Sequence, residues 1–283
     1  MLYSELFNNS LRKFKDNAEE KRLEIEILLR EAFNLSKTGY WTRKNEVITD
    51  KNALSRFYRW RSRLFKGEPL AYITGEKESF SRNFYLNRHV LIPRPETEIL
   101  IEEAIASLKE KKNPVEVLDI GTGSGIIAIN VALETAARVA ALDKSRPALQ
   151  VLKKNLVLHN LRDKVIPVCA DLFPLRNKYK RGPFDLIVSN PPYVSEAEWE
   201  ELPVSIKHYE PKVALVAAED GLAIIRRIAG GAKDYLKPGG RIMLEIGHGQ
   251  SKKVAEILRE AGFFKVEFVD DYNNIPRVAS AVI

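Results

Sequence analysis

The stretch Val115-Glu116-Val117-Leu118-Asp119-Ile120-Gly121-Thr122-Gly123-Ser124-Gly125-Ile126 decides the fold. An apolar strand stops at Asp119, three alternating glycines form a loop, and a helix runs from Ile126 to Leu133. Glycine at 121, 123 and 125 lets the chain turn tightly and lets a ligand approach the backbone with no Cβ in the way. The helix start behind the loop offers free N–H groups and a positive dipole end, which suit a carboxylate or a phosphate.

Outward from the loop the same texture repeats. A second strand, Val139 to Leu142, ends at Asp143, and Ser145 caps a helix to His159. A third strand, Val165 to Ala170, ends at Asp171, and a fourth, Phe184 to Ser189, ends at Asn190. A helix over 221–235, a strand over 241–246, a helix over 251–261 and two closing strands over 266–269 and 278–283 complete the pattern. Strands alternating with helices predict an α/β fold with a parallel sheet covered on both faces. Ligands of such sheets sit at the carboxyl ends of the strands. Asp119, the glycine loop, Asp143, Asp171 and Asn190 all fall at such ends.

Asn190-Pro191-Pro192-Tyr193 is the second informative run. Asn190 carries an amide that accepts and donates. Pro191 has no N–H, and Pro192 holds its predecessor extended, so carbonyls are presented without competing donors. Tyr193 supplies a flat ring with a hydroxyl at its tip. Together they make a slot for a planar –NH2 group, with acceptors in its plane and an aromatic face against it.

Two cofactors suit the glycine loop. The dinucleotide fingerprint G-x-G-x-x-G requires glycine where Ile126 stands, and the pattern here is G-x-G-x-G. Asp143, at the end of the next strand, suits the two hydroxyls of a ribose, and Asp119 suits an ammonium group. An aminoacyl-adenosine such as S-adenosylmethionine has that ammonium and a dinucleotide does not, so S-adenosylmethionine is the expected cofactor. The loop is neither a P-loop nor a nucleophile elbow.

The first 88 residues read differently. Leu23, Ile27, Leu28, Ala32 and Phe33 recur at helical spacing, with Gly39 as a stop. Asp50 caps a second long helix ending before Gly67. Leu54, Phe57, Trp60 and Leu64 fall on one side of it and Arg56, Arg59, Arg63 and Lys66 on another, either a solvated face or a basic grip for a partner. Residues 67–75 read as an irregular link, and Glu78 to Leu86 as a hairpin turning at Arg82-Asn83. Pro93 and Pro95 forbid helix up to Pro95, after which a helix runs through Leu108. These features place the domain boundary within residues 87–92, giving a helical part over 1–88 and a cofactor-binding part over 89–283.

The 283 residues are 45% apolar, enough for a sizeable core, and no run is long enough for a membrane span. Met1 to Ser10 is polar, so no secretory segment is expected there, and the lone Cys169, expected in the core, excludes an internal disulfide framework. A soluble cytoplasmic protein is expected. The four histidines have no metal-ligand spacing, so no metal is expected. The net charge of +7 lies mostly in residues 1–88, with 18 Lys and Arg against 12 Asp and Glu, which suggests an acidic or nucleic-acid-associated partner for that part. Glu196, Glu198, Glu200 and Glu201 around Trp199 read as a solvated helix or as a hold for a basic loop.

Four blocks together resemble one family, the release factor glutamine methyltransferases (HemK/PrmC family): Gly67 to Gly75, Ile92 to Glu98, Asp119 to Gly125 and Ser189 to Val194. The last two are shared with DNA adenine and rRNA guanine methyltransferases; the first two are more specific. The resemblance spans nearly the whole chain. It implies a Rossmann-like class I S-adenosylmethionine-dependent methyltransferase sheet, a small helical N-terminal domain that docks substrate, and a connecting β-hairpin. It implies a methyl transfer to the side-chain amide nitrogen of the glutamine in the Gly-Gly-Gln motif of peptide chain release factors, a step in translation termination. Carried over residue by residue, Asn190, Pro191, Pro192 and Tyr193 hold the substrate and serve the transfer. Asp119, Gly121, Thr122, Gly123, Ser124, Gly125, Asp143, Asp171 and Asn190 hold the cofactor, with Glu96 and Thr97 closing over it. The family commonly has an aromatic residue after the third-strand acid; here Leu172 follows Asp171 and Phe173 comes next, so either covers the adenine. An exocyclic amine of adenine or guanine in DNA or rRNA would also fit the slot after base flipping. The lack of a separate recognition domain or a basic stripe in the catalytic half argues against direct nucleic-acid binding. A non-catalytic S-adenosylmethionine-binding, ribosome-associated protein is the remaining alternative, and it has no use for the slot.

Overall fold

A computed structural model describes residues 1–14, 18–109, 111, 115–173, 184–218 and 220–283. By contacts the chain divides into Met1–Gly75 and Glu76–Ile283. The division falls before the hairpin rather than within residues 87–92, because the hairpin is tied by side chains to the second unit.

The first unit comprises α1 (Tyr3–Leu11), α2 (Ala18–Phe33), α3 (Lys37–Arg43), α4 (Lys51–Phe65) and α5 (Leu70–Thr74). Ile25, Leu28 and Leu29 of α2 pack with Leu6, Phe7, Phe57 and Leu64. Leu28 and Ala32 are buried as expected, but the stripe is shared with Ile25 and Leu29, and Leu23 is exposed. Gly39 is not the stop. Asn34, at φ 53°, takes the left-handed position after α2, and Gly39 lies inside α3, where its N–H donates to the Ser36 cap at 2.9 Å. Asp50 caps α4 as expected, accepting from the Asn52 and Ala53 amides at 2.9 Å. The basic stripe of α4 is partly internal bracing. Arg56 Nε donates to the Ala32 carbonyl at 2.9 Å, and Arg63 forks onto Glu68 at 2.8 and 2.7 Å. The link over 67–75 contains a helical turn, α5, closed by Gly75 at φ 83°.

The second unit begins with the hairpin β1 (Glu76–Ser79) and β2 (Arg82–Tyr85). Its turn is Phe80-Ser81, not Arg82-Asn83, with both residues at positive φ. Glu98 holds that turn, accepting from the Ser79 hydroxyl at 2.7 Å and the Phe80 amide at 2.9 Å.

The main sheet is built from β3 (Glu116–Ile120), β4 (Arg138–Asp143), β5 (Val165–Cys169), β6 (Phe184–Ser189), β7 (Leu236–Glu245), β8 (Phe264–Asp270) and β9 (Pro276–Val282). Their spatial order is β5-β4-β3-β6-β7-β9-β8. The first five run parallel, whereas β9 runs antiparallel to both β7 and β8. The strand order reverses beside β3, whose neighbours are β4 and β6, and such a switch point opens a crevice at the carboxyl ends.

Successive residues of β3 serve opposite faces. Val117 joins one apolar layer with Ile99 and Leu100 of α6 (Pro95–Lys109), Ile129 of α7 (Ile126–Glu134) and Leu152 of α8 (Arg146–Leu158). Leu118 and Ile120 join the other, with Ile225 and Ile228 of α11 (Ala223–Ala232) and Val254 and Leu258 of α12 (Ser251–Glu260). Two short helices, α9 (Glu196–Glu201) and α10 (Val204–Tyr209), follow the Asn190 turn. The α9 carboxylates are mostly solvated: Glu198 closes a capping box with Ser195, Glu196 pairs with Lys212 at 3.0 Å, and Trp199 is buried. Cys169 ends the edge strand β5 and is exposed, since β5 has a neighbour on one side only.

Candidate active site

Burial and hydrogen bonding both build the glycine loop. Asp119 is fully buried beneath it; Oδ2 accepts from the Thr122 hydroxyl at 2.7 Å, while Oδ1 makes no hydrogen bond among the described residues. Burial pushes its carboxyl up to about 7, opposed by the Thr122 hydroxyl and the Ala128 amide. The Gly123 amide donates to Asp143 Oδ2 at 3.0 Å, and the Ser145 amide donates to Oδ1 at 2.8 Å. Asp143 is thus aimed by two backbone donors, which leave lone pairs for a ligand. Burial raises its pKa above the usual carboxylate range, with those two amides opposing. Gly125 is the loop glycine with the least room, because a Cβ there would lie 2.3 Å from Leu152 Cδ1 and its φ is +86°. Asn155 of α8 secures the loop to the hairpin, donating to the Ser124 and Tyr85 carbonyls at 2.8 and 3.1 Å.

The Asn190 turn sits beside this loop because β6 pairs with β3, and the Ser189 hydroxyl donates to the Ile120 carbonyl at 2.6 Å. Asn190 Nδ2 donates to Thr97 Oγ1 at 3.0 Å. Thr97 Oγ1 donates to Glu245 Oε2 at 2.7 Å, and the Tyr193 hydroxyl donates to Glu245 Oε1 at 3.3 Å. Glu245 is fully buried, and burial pushes its carboxyl up to about 7. Burial, then the neighbouring Glu245 charge, push the Tyr193 hydroxyl well above its usual value. The backbone is clamped as well: Gln250 Nε2 donates to the Tyr193 carbonyl at 3.0 Å while its Oε1 accepts from the Gly247 amide at 2.9 Å. Among the described residues, Asn190 Oδ1 and the Pro191 carbonyl take no hydrogen bond.

Between loop and turn lies a cleft of about 1030 Å³, open solvent at its mouth included. Gly121, Thr122, Gly123 and Ser124 line it, together with Asp143, Asp171 and Leu172 and with Thr97, Asn190 and Pro192. Not every expected residue is on its wall. Asp119, Gly125, Glu96, Pro191 and Tyr193 are absent from it, the first two because they support the loop from beneath. Phe173 is absent too: its ring stacks on Tyr235 at 4.8 Å, and Leu172, at φ 66°, faces the cleft in its place. Asp171 lines the cleft and pairs with Arg227 at 2.8 Å. Glu245, Gln250 and Asn155 escaped the sequence reading. Glu245 was detectable, being one more acid at the carboxyl end of a parallel strand. Among the described residues no group of His, Cys, Asp and Glu could hold a metal ion, and no helix is long and apolar enough to cross a membrane.

A switch-point cleft lined by a glycine loop and a strand-end acid defines the class I methyltransferase fold. Residues 96–204 match the methyltransferase small domain, and residues 5–75 match the PrmC N-terminal domain. Solved structures agree on the fold: the hMettl16 catalytic domain aligns with a TM-score of 0.58 at 17% identity, covering 82% of each chain. A methyltransferase from Pyrococcus furiosus aligns at 0.52 and 17% identity, covering 79% of this chain and 98% of its own. The release factor glutamine methyltransferase of Koribacter versatilis is 38% identical, over 98% of this chain and 97% of its own length. That of Clostridium acetobutylicum is 40% identical, over 84% of this chain and 83% of its own. The chain belongs to the release factor glutamine methyltransferase family. It also matches a bifunctional methyltransferase of Rickettsia typhi at 39% identity, over 90% of this chain, and spans about half of that protein, 52% of its length.

Proposed function

We propose that the protein transfers a methyl group from S-adenosylmethionine to the side-chain amide nitrogen of the glutamine in the Gly-Gly-Gln motif of peptide chain release factors. The observation that carries this is the pair of acceptors that take no hydrogen bond among the described residues, Asn190 Oδ1 and the Pro191 carbonyl, on a turn braced by Thr97, Glu245 and Gln250.

The cleft residues fit the cofactor. Asp143 retains acceptor capacity for a ribose, the loop leaves Gly121 with open space where a Cβ would be, and Leu172 and Ile224 offer apolar surface for a base. When bound, S-adenosylmethionine supplies an electrophilic methyl group. The chain's own residues make the amide reactive by position. An amide nitrogen is a weak nucleophile because its lone pair is delocalised. Asn190 Oδ1 and the Pro191 carbonyl accept its two N–H bonds, directing the lone pair toward the cleft. The Tyr193 ring, held at its hydroxyl by Glu245 and at its carbonyl by Gln250, lies against the amide face. Orientation of this kind supplies about 7–11 kcal/mol in well-aligned systems. The helical first unit is the part proposed to dock the release factor.

The test offers labelled S-adenosylmethionine with a release factor, a Gln-to-Ala release factor, DNA and rRNA in parallel. Label on the intact factor alone is expected. Label on DNA or rRNA, or on the Gln-to-Ala factor, overturns the assignment.

A further inference from the structure

The Asn190 amide has two ends, and only its oxygen can accept from a substrate –NH2. The two ends are nearly equal in size, so packing alone does not choose between them. Hydrogen bonding does. Glu245 Oε2 accepts the Thr97 hydroxyl proton at 2.7 Å, and Oε1 accepts from Tyr193. Thr97 has a single proton to give. Once it is committed to Glu245, only lone pairs remain for Asn190, which meets them with Nδ2 at 3.0 Å. The donors therefore run one way, from Asn190 through Thr97 to the buried carboxylate.

We infer that Glu245 is a positioning residue which, acting through Thr97, fixes the Asn190 amide with its oxygen turned toward the substrate. This rests on the reading of Asn190 as the substrate's acceptor, and it gives Thr97 a role beyond its place on the cleft wall. The direction of the chain holds while Glu245 is ionised, because a carboxylate only accepts. Protonated, Glu245 can donate to Thr97, Thr97 can donate to Asn190 Oδ1, and the –NH2 end then faces the substrate, donor against donor. The groups around Glu245 are Thr97 and Glu96 from α6, Tyr193 from the turn and Arg277 from β9, the last held by Asp271 at 2.9 Å. Burial raises the carboxyl to about 7, aided by Glu96 and opposed by the two hydroxyls and Arg277.

The experiment measures kcat against pH and cofactor Kd for the full chain, with labelled S-adenosylmethionine and a purified release factor. The variants are T97V, T97S, E245Q and N190A. T97V keeps the side-chain shape and removes the relay; at saturating cofactor, since Thr97 also lines the cleft, kcat is expected to fall about tenfold, the scale of one oriented hydrogen bond. T97S restores kcat. Wild-type kcat falls as pH drops through about 7. E245Q has a lower kcat and loses that acid limb, since its amide does not titrate. Wild-type kcat in T97V, or an E245Q variant with the wild-type level and acid limb, overturns the relay. Should T97V fail to bind cofactor, the E245Q profile decides. N190A separates the two readings: full turnover in N190A sinks the slot itself, whereas loss in N190A with wild-type T97V and E245Q sinks only the relay.

Discussion

A Cβ on Gly221 would lie 2.3 Å from the carbonyl oxygen of Tyr193, the same oxygen that Gln250 holds at 3.0 Å. The backbone of the Asn190 turn is therefore pressed between a glycine and an amide clamp. Gly221 is also at φ +73°, where an L side chain is strained. Gly221→Ala is expected to push the turn out of place, losing about 2 kcal/mol of stability and most of the turnover. Gln250→Ala loses one hydrogen bond and costs about 1 kcal/mol. Urea midpoints and single-turnover rates on both variants check the order.

Two glycines of the loop after β3 are expected to fail differently. Gly125→Ala drives a methyl group into Leu152, so the fold suffers first, by about 2 kcal/mol or more. Gly121 has nothing within 4 Å of its absent Cβ but lines the cleft. Gly121→Ala therefore costs only backbone strain, about 1 kcal/mol, while cofactor affinity falls steeply. Thermal melts set beside cofactor titrations separate the two.

Leu172 and Phe173 part in the same way. Leu172 faces the cleft, and Leu172→Ala is expected to weaken cofactor binding about tenfold, the scale of one buried leucine. Phe173 stacks on Tyr235 and abuts Gly231, where a Cβ would lie 2.6 Å from its ring. Phe173→Ala is expected to lose about 2 kcal/mol of stability with cofactor affinity little changed. Equilibrium dialysis with labelled cofactor and urea unfolding measure the two quantities.

The alternation of strands and helices was legible because period-two and period-3.6 apolar patterns are local. So were the glycine loop and the Asn190 turn, whose residue types are dictated by backbone geometry. What escaped is non-local. Asn190, Thr97 and Glu245 meet from positions 93 and 148 residues apart, and no window of sequence contains that meeting. The turn of the hairpin was misplaced for the same reason, since Glu98 stabilises Phe80-Ser81 from a different element. Leu23 and Cys169 were read as apolar and therefore inside, but only the assembled neighbours decide which side of an element is covered.

Asn190→Asp retains an acceptor and loses the donor. It sets a carboxylate oxygen against Thr97 Oγ1, whose only proton already serves Glu245. Two carboxylates then compete for one hydroxyl, and turnover is expected to be reduced but measurable, at a level above that of Asn190→Ala. Single-turnover assays of the two variants give the ranking.

The ionised Glu245 required by the relay is costly to the fold, and the cost has a definite pH window. Its carboxyl is at about 7 when folded and near its ordinary 4.5 when unfolded. Between those values the native state holds a proton that the unfolded state has lost, so stability falls as pH rises through the window and is level above it. Asp119, raised to about 7 from 3.8, acts in the same direction. Asp185, whose pKa is lowered by the Glu116 amide and Lys237 against its burial, acts oppositely, and its loss comes only below about pH 4. Glu245→Gln cannot ionise. It is expected to match the wild type in stability near pH 4.5 and to exceed it by about 1–3 kcal/mol above pH 7, while turning over more slowly. Urea midpoints of both proteins across that range measure the gap, and a gap that widens on acidification instead would contradict a buried carboxylate at this position.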